Sequence, residues 1–499
     1  MAAPLEQIRM EMKQRNAAPV TVAMAEGDGI GPEISAAVCR MLEAAGAAMR
    51  FEPVTLGEAC YRQGVTSGIP TEAWETLREH RVLLKGPIMT PQGGGYKSLN
   101  VTLRKTLGLF ANVRPCRAWH PFVATRHPDM DMVIVRENEE DTYAGIEHRQ
   151  TAEVTQCLKL ISSPGSERLI RYAFELARAQ GRKRVDCLTK DNIMKLTDGL
   201  FHRIFDEVAR EYPEIEASHM IIDIGTALIA DRPERFDVVV APNLYGDIVS
   251  DVAAQITGSV GLGGSANIGE DFAMFEAVHG SAPDIAGRDI ANPSGLLLAA
   301  LEMLRHVGDK DTARTLQNAW LATMADGLHT ADLYREGVSR KRVGTAEFAD
   351  AVCARIGRAP EGYSESEPGA LPPAAGSWRP GAGRPEKRLH GVDVFLDWDE
   401  DGRDPARLGE IVAELAEGLA LEPVIITNRG VKVWPDGIPE TRCTDHWRCR
   451  FRTPDGAAIE HAAVLALLQR FERAGLDFIK TEHLYTFDGE RGYSLGQGE

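Results

Sequence analysis

Between Ala359 and Arg388 the chain reads APEGYSESEPGALPPAAGSWRPGAGRPEKR, where Pro, Gly and Ser are so dense that neither a helical nor a strand period survives. Such a stretch acts as a linker, and it divides the 499 residues into blocks 1–358 and 389–499, each long enough to bury its own core. Any fold must therefore be built twice.

The first block alternates strand and helix patterns. Val20 to Ala25 reads as a strand, Pro32 to Ala47 as a helix with Pro in its first turn, and Phe51 to Val54 as a strand. Strand Met132 to Arg136, helix Ser166 to Gln180 stopped by Gly181, strand Val185 to Thr189, strand Phe236 to Ala241 and helix Tyr245 to Ile256 follow. This order implies an α/β, doubly wound body whose ligand site gathers at strand ends. Residues 118–253 read as a small lobe inserted into a larger one. In the second block, strand 392–397, helix 405–419, strands 423–427 and 447–451, helix 460–473 and strand 478–485 spell βαββαβ, the ferredoxin-like α+β motif.

The balance of 56 Lys+Arg against 73 Asp+Glu leaves a net charge of −17, which argues against capture of nucleic acid or an anionic membrane by the whole surface. No apolar run approaches the ~18 residues of a membrane helix. Eight scattered cysteines without a C-x-x-C pair, and no secretory apolar stretch after Met1, suit a reducing cytoplasm. Cys443, His446 and Cys449 offer a three-ligand metal reading, against which simple packing is the stronger alternative.

Four segments carry residues suited to chemistry. Gly27-Asp28-Gly29-Ile30-Gly31 superficially resembles a dinucleotide fingerprint, but the third Gly is misplaced and Glu33 would oppose a pyrophosphate, so a tight structural turn fits better. Ser98-Leu99-Asn100-Val101-Thr102-Leu103-Arg104, with Arg114 and Arg136, offers guanidinium groups for carboxylates, although each arginine alone could be a surface ion pair. Asp247 and Asp251 stand at i and i+4 on one helical face, as hard-oxygen ligands for Mg²⁺ or Mn²⁺ or as a cap and a solvated face. His279 to Gly287 and Ala291-Asn292-Pro293, with the loop 261–267, could connect elements or cradle a cofactor.

Together GDGIGPE at 27–33, SLNVTLR at 98–104, VRENEEDTYAG at 135–145, TKDNIMK at 189–195, NLYGDIVSD at 243–251 and HGSAPDIAG at 279–287 resemble the β-decarboxylating dehydrogenases, the family acting on isocitrate, isopropylmalate, homoisocitrate or tartrate. The resemblance covers Val20 to Ile356. It implies that Arg104, Arg114 and Arg136 bind substrate carboxylates with Ser98, Asn100 and Asn192, and that Ser98 and Asn100 favour isocitrate. It implies Tyr143 as acid and Lys190 as proton acceptor. Asp247 and Asp251 would hold Mg²⁺ or Mn²⁺ with Asp223 of a second subunit, in a homodimer with shared sites. His279, Gly280, Ala282, Asp284, Ile285 and Asn292 would line the nucleotide pocket. Asp284 and Ile285 stand where NADP-using members place Lys-Tyr, so NAD is expected, with NADP the alternative if Arg335 or Arg288 meets a phosphate. The second block resembles the C-terminal extension of some isocitrate dehydrogenases. A noncatalytic regulatory subunit is disfavoured because Tyr143, Lys190 and the Asp247–Asp251 pair are all present.

Overall fold

The computed structural model describes residues 19–90, 98–360, 371–373, 383–496 and 499. Within the linker, residues 361–370 and 374–382 lie outside the described residues. The chain folds into two compact units, Met1–Ala144 with Leu160–Trp378 and Gly145–Lys159 with Arg379–Glu499.

The first unit is built on one ten-stranded sheet. Its strands run in the order Met49–Pro53, Val20–Ala25, Val82–Lys85, Ala273–Ala277, Gly264–Ile268, Ala111–Arg117, Asp131–Glu137, Val238–Ala241, Arg184–Thr189, Glu216–Ile221. Both wings are parallel, as strand–helix alternation requires. The centre is antiparallel because Gly264–Ile268 returns into Ala273–Ala277 through a connection too short for a crossover helix. Val238–Ala241 lies inside the second parallel wing, and its sequence VVVA is buried throughout, as a strand covered on both faces demands.

Local signals set the helices. Helix Ser163–Ala179 begins where the Ser162 hydroxyl accepts from the Gly165 N–H, and its Leu169, Ile170, Ala173, Phe174 and Ala177 form the buried stripe. The helix after Val238–Ala241 begins at Asn243, two residues earlier than the pattern suggests, since Pro242 stands at its N-cap. This brings Asn243 into the first turn, where it matters below.

The second unit is a six-stranded antiparallel sheet. Strands Lys387–Asp397, Glu422–Asn428, His446–Arg452 and Asp477–Phe487 pair so that the first lies between the third and fourth, and helices Pro405–Ala416 and His461–Arg473 contribute to its core. Two short edge strands, Val431–Trp434 and Glu490–Arg491, escape the sequence pattern because neither is long enough to show a period. Val392, Val394 and Leu396 face the helices beside Trp447, Cys449 and Phe451, with Val394 opposite Cys449. His446 and Cys449, three apart on one strand, consequently point to opposite faces. Cys449 is core, the His446 ring stands 5.6 Å from Phe395, and the Cys443 thiol donates to the Thr441 carbonyl, so these three do not gather as a metal site.

The hairpin Glu147–Arg149 and Thr155–Cys157 belongs to this second unit although its sequence lies within the first block. The Thr151 hydroxyl donates to Asp445 at 2.5 Å, the Glu153 N–H donates to the same carboxylate at 3.2 Å, and Glu153 pairs with Arg403 at 2.8 Å. Asp445 thereby satisfies polar groups of the hairpin loop. All eight cysteines are free, and no helix among the described residues is long and apolar enough to cross a membrane.

Candidate active site

Helix Asn243–Ile256 leaves the end of strand Val238–Ala241 and crosses the end of Asp131–Glu137. A Cβ at Gly246 would lie 2.6 Å from Arg136 Cγ, so only glycine lets the Arg136 side chain run beneath this helix. Arg136 is almost wholly buried. Its Nε and Nη2 donate to Asn243 Oδ1 at 3.1 and 2.8 Å, and its Nη1 donates to Asp247 Oδ1 at 2.5 Å. Arg114, from strand Ala111–Arg117, is aimed by Nε on Asn112 Oδ1 at 2.6 Å. Its two terminal nitrogens reach Ser250 Oγ at 2.6 Å, Asp251 at 3.4 Å and Asp247 at 3.3 Å. The Tyr143 hydroxyl donates to the other Asp247 oxygen at 2.6 Å, and the Arg136 guanidinium lies 4.9 Å from the Tyr143 ring.

Charge is concentrated here. Burial alone would raise the Asp247 carboxyl, but Arg136 and Arg114 outweigh it and hold the group below the usual carboxylate range. Burial, with Arg114 and Arg104 nearby, lowers Arg136 to about 9. Burial pushes the Tyr143 phenol up to about 12, so it is fully protonated near neutrality. Asp251 is raised by burial and by Asp247. Among the described residues its one ion-pair partner is Arg114, at long range, while most of its side chain meets solvent. Two hard carboxylates one helical turn apart, one of them short of positive partners, fit a divalent cation that draws its remaining ligands from water or substrate.

Lys190 and Asp223 stand apart from this cluster. Lys190 Nζ pairs with Asp223 at 2.7 Å, both side chains reach solvent, and among the described residues no hydrogen bond or ion pair joins either to Asp247 or Asp251. Asn192, in the turn after Lys190, is exposed.

Helix Leu99–Thr106 carries the arginine segment, with Ser98 at its N-cap position. Asn100 Oδ1 and Arg104 Nε, one turn apart, are both buried without a hydrogen-bond partner among the described residues, which marks a site shaped for a polar ligand. Arg104 Nη2 is held by Glu276 at 2.9 Å, and Glu276 also pairs with the fully buried Lys85 at 2.7 Å. Although Glu276 is buried, Lys85 and Arg104 hold its carboxyl well below the ordinary range. Asn267 joins the two halves of the network: its Nδ2 donates to Glu276, and its Oδ1 accepts from Asn112, which aims Arg114. The sequence motifs do not single out Lys85, Glu276 or Asn112, and Asn267, read as part of the loop 261–267, lies instead in the buried strand Gly264–Ile268. The available signal was a charged residue in an otherwise apolar strand, VLLK and AMFEA.

The glycine-rich turn is structural, as its spacing suggests. Gly27 and Gly29 have φ of 80° and 60°, and the Ile30 N–H donates to the Ser281 carbonyl at 2.9 Å, tying the turn to the His279–Gly287 loop. In that loop Gly280 and Asp284 are exposed, Ala282 has φ 38°, and Ile285 packs on the core. His279 Nε2 is buried without a partner among the described residues, and burial lowers its basicity. Asn292 is fixed by its Nδ2 on Asp332 at 3.0 Å and by the Ser294 N–H on its Oδ1.

Residues 21–352 match the family model described as isocitrate/isopropylmalate dehydrogenase, and residues 387–499 match that of the bacterial isocitrate dehydrogenase C-terminal domain. The chain is 51% identical over 486 residues to a protein of Rickettsia felis named isocitrate dehydrogenase [NADP], covering 96% of this chain and 99% of that one. It is 44% identical to an Arabidopsis thaliana protein named isocitrate dehydrogenase [NAD] catalytic subunit 5, mitochondrial, covering 67% of this chain and 88% of that one. A crystal structure of the TT0538 protein from Thermus thermophilus superposes with a TM-score of 0.89 at 43% identity, covering 96% of each chain.

Proposed function

The chain belongs to the isocitrate/isopropylmalate dehydrogenase family, and from that premise we propose that it converts isocitrate to 2-oxoglutarate and CO₂ with NADP as hydride acceptor. The observation that carries the reading is the sharing of Asp247 between Arg114, Arg136 and Tyr143, which supports anion binding, metal binding and proton donation by one cluster.

In this reading Arg114 and Arg136, released from Asp247 as substrate arrives, receive carboxylates. Asn100 and Arg104 meet the remaining polar groups with their unpartnered atoms, and Ser98 sits at the head of the same helix. Mg²⁺ or Mn²⁺ held by Asp247 and Asp251 would supply Lewis acidity to the hydroxyl and to the enolate left by decarboxylation. Lys190 takes the hydroxyl proton, and Asn192 assists binding. Tyr143, protonated at neutral pH, returns a proton to C3. Within one chain Lys190 and Asp223 lie outside the Asp247 cluster, which supports a homodimer in which each copy completes the other's site.

The nucleotide preference departs from the expectation of NAD. Asp284 is exposed, and in water two unit charges 4 Å apart interact by only about 1 kcal/mol, so its charge gives weak discrimination against a 2′-phosphate. Arg288 on the same loop is exposed as well. The relative named for NADP matches nearly the whole chain, whereas the one named for NAD matches two thirds. His279, Gly280, Ala282, Ile285 and Asn292 form the rest of the proposed nucleotide pocket. Initial rates with isocitrate and Mg²⁺, comparing NADP with NAD at equal concentrations, test the reading. Metal-dependent reduction at least tenfold faster with NADP is expected. A preference for NAD would overturn the cofactor assignment, and no turnover with either would overturn the substrate.

A further inference from the structure

Among the described residues, Asp191, His202 and His219 bring potential metal-ligating atoms within 4.8 Å of one another, away from the Asp247 cluster. Each comes from a firm element. Asp191 follows strand Arg184–Thr189, His202 lies on helix Thr197–Ala209, and His219 lies on the neighbouring strand Glu216–Ile221, where it pairs with Cys187. Asp191 falls within the TKDNIMK segment at 189–195, but His202 and His219 belong to no motif, and only the fold brings the three together.

The three side chains form a hydrogen-bonded cluster that small rotations convert into a ligand set. His202 Nδ1 is 2.7 Å from Asp191 Oδ2, and His219 Nε2 is 3.9 Å from Asp191 Oδ1. Ligands about 2.0–2.2 Å from a tetrahedral zinc stand about 3.3–3.5 Å from each other, so modest rotations of partly exposed side chains suffice. His202 Nε2 faces Asp206 at 3.7 Å, the orienting carboxylate that metal-bound imidazoles commonly have on the opposite nitrogen. The Thr189 hydroxyl lies 2.8 Å from His219 Nε2. The two rings stack with their centroids 3.6 Å apart, which holds both imidazoles beside Asp191.

We infer that Asp191, His202 and His219 form a second metal site, selective for a first-row transition ion and best matched to Zn²⁺. Imidazole donors favour zinc over the Mg²⁺ that suits the carboxylates at 247 and 251. Because Asp191 directly follows Lys190, occupancy pins the turn that carries Lys190 and Asn192. The site goes beyond the proposed dehydrogenase reaction, and its test does not read activity.

Full-length protein stripped of metal and then saturated with Mg²⁺ is titrated with Zn²⁺ by calorimetry, with amide exchange followed over residues 190–197. One Zn²⁺ per chain and slower exchange in that turn are expected. His202→Asn and Asp191→Asn should each weaken this binding at least tenfold, while Asp251→Asn leaves it unchanged. Should one substitution at the proposed site prevent folding, the other decides. No zinc uptake by the Mg²⁺-saturated parent, or uptake unaltered by His202→Asn and Asp191→Asn, would overturn the site.

Discussion

The Ile30 N–H donates to the Ser281 carbonyl at 2.9 Å, and this bond joins the turn after the first strand to the loop assigned to the nucleotide. Gly29 permits it. A Cβ there would lie 2.0 Å from the Ser281 oxygen, and its φ of 60° is a left-handed conformation. Gly29→Ala should therefore lower stability by about 1–3 kcal/mol and raise the KM for the nucleotide severalfold more than that for isocitrate. Thermal melts and initial-rate kinetics check both. Equal changes in the two KM values would argue that the turn does not position the loop.

Tyr143→Phe keeps the ring beneath Arg136 but removes the proton donor to Asp247. As a general acid Tyr143 should be worth about 10²–10⁴ in kcat, with little change in the KM for isocitrate. Because the phenol is raised to about 12, the ratio of parent to variant kcat should stay flat from about pH 6 to 9. A ratio that falls steeply in that range would assign the proton to another group.

Much of the candidate cluster around Asp247 was legible because its residues lie in local motifs. Asp247 and Asp251 show their shared face by spacing alone, and the segments around Arg104, Arg136 and Tyr143 carry their own context. Residues whose roles depend on long-range pairing were not legible. Lys85 and Glu276 sit in strands that the sequence pattern does not single out, and only the register places them opposite each other. The same holds for hairpin 147–157, whose affinity for the second unit rests on Asp445, nearly three hundred positions away in the chain. The expectation of NAD from Asp284 has less support than the NADP alternative for a related reason, since sequence shows a charge but not its exposure to solvent.

Glu276 answers the fully buried Lys85 and the nearly buried Arg104. Glu276→Gln leaves Lys85 charged without a counter-ion and should cost about 3–5 kcal/mol at pH 7. The Glu276 carboxyl is depressed in the folded state, so its contribution is present above the unfolded value of about 4.3 and is lost as pH falls below it. The stability gap between parent and variant in urea should accordingly be wide at pH 7 and narrower at pH 3.5. A constant gap would show that packing rather than charge sets the loss.

Asp445 is buried and holds the Thr151 hydroxyl and the Glu153 N–H. Asp445→Ala leaves these donors without their acceptor and should loosen the hairpin by about 1–3 kcal/mol. Faster amide exchange over residues 147–157, with exchange in strand Val238–Ala241 unchanged, is the expected pattern. Unchanged exchange in the hairpin would mean that the Glu153–Arg403 pair suffices to hold it.

Ser98 allows folding and substrate binding to be separated. It occupies the N-cap position of helix Leu99–Thr106, and its hydroxyl makes no capping bond there. Aspartate is a good N-cap residue and complements the helix dipole, so Ser98→Asp should preserve or slightly raise the melting temperature. The same carboxylate would confront the tricarboxylate substrate beside Asn100 and Arg104. Like-charge repulsion in this partly buried site should lower kcat/KM for isocitrate by about 10²-fold or more, through KM first, whereas Ser98→Ala should cost under tenfold. A phosphate on Ser98 would act in the same direction with greater charge. If Ser98→Asp retained the parent's KM, Ser98 would not face the substrate, and the isocitrate specificity drawn from this helix would have to rest on Asn100 alone.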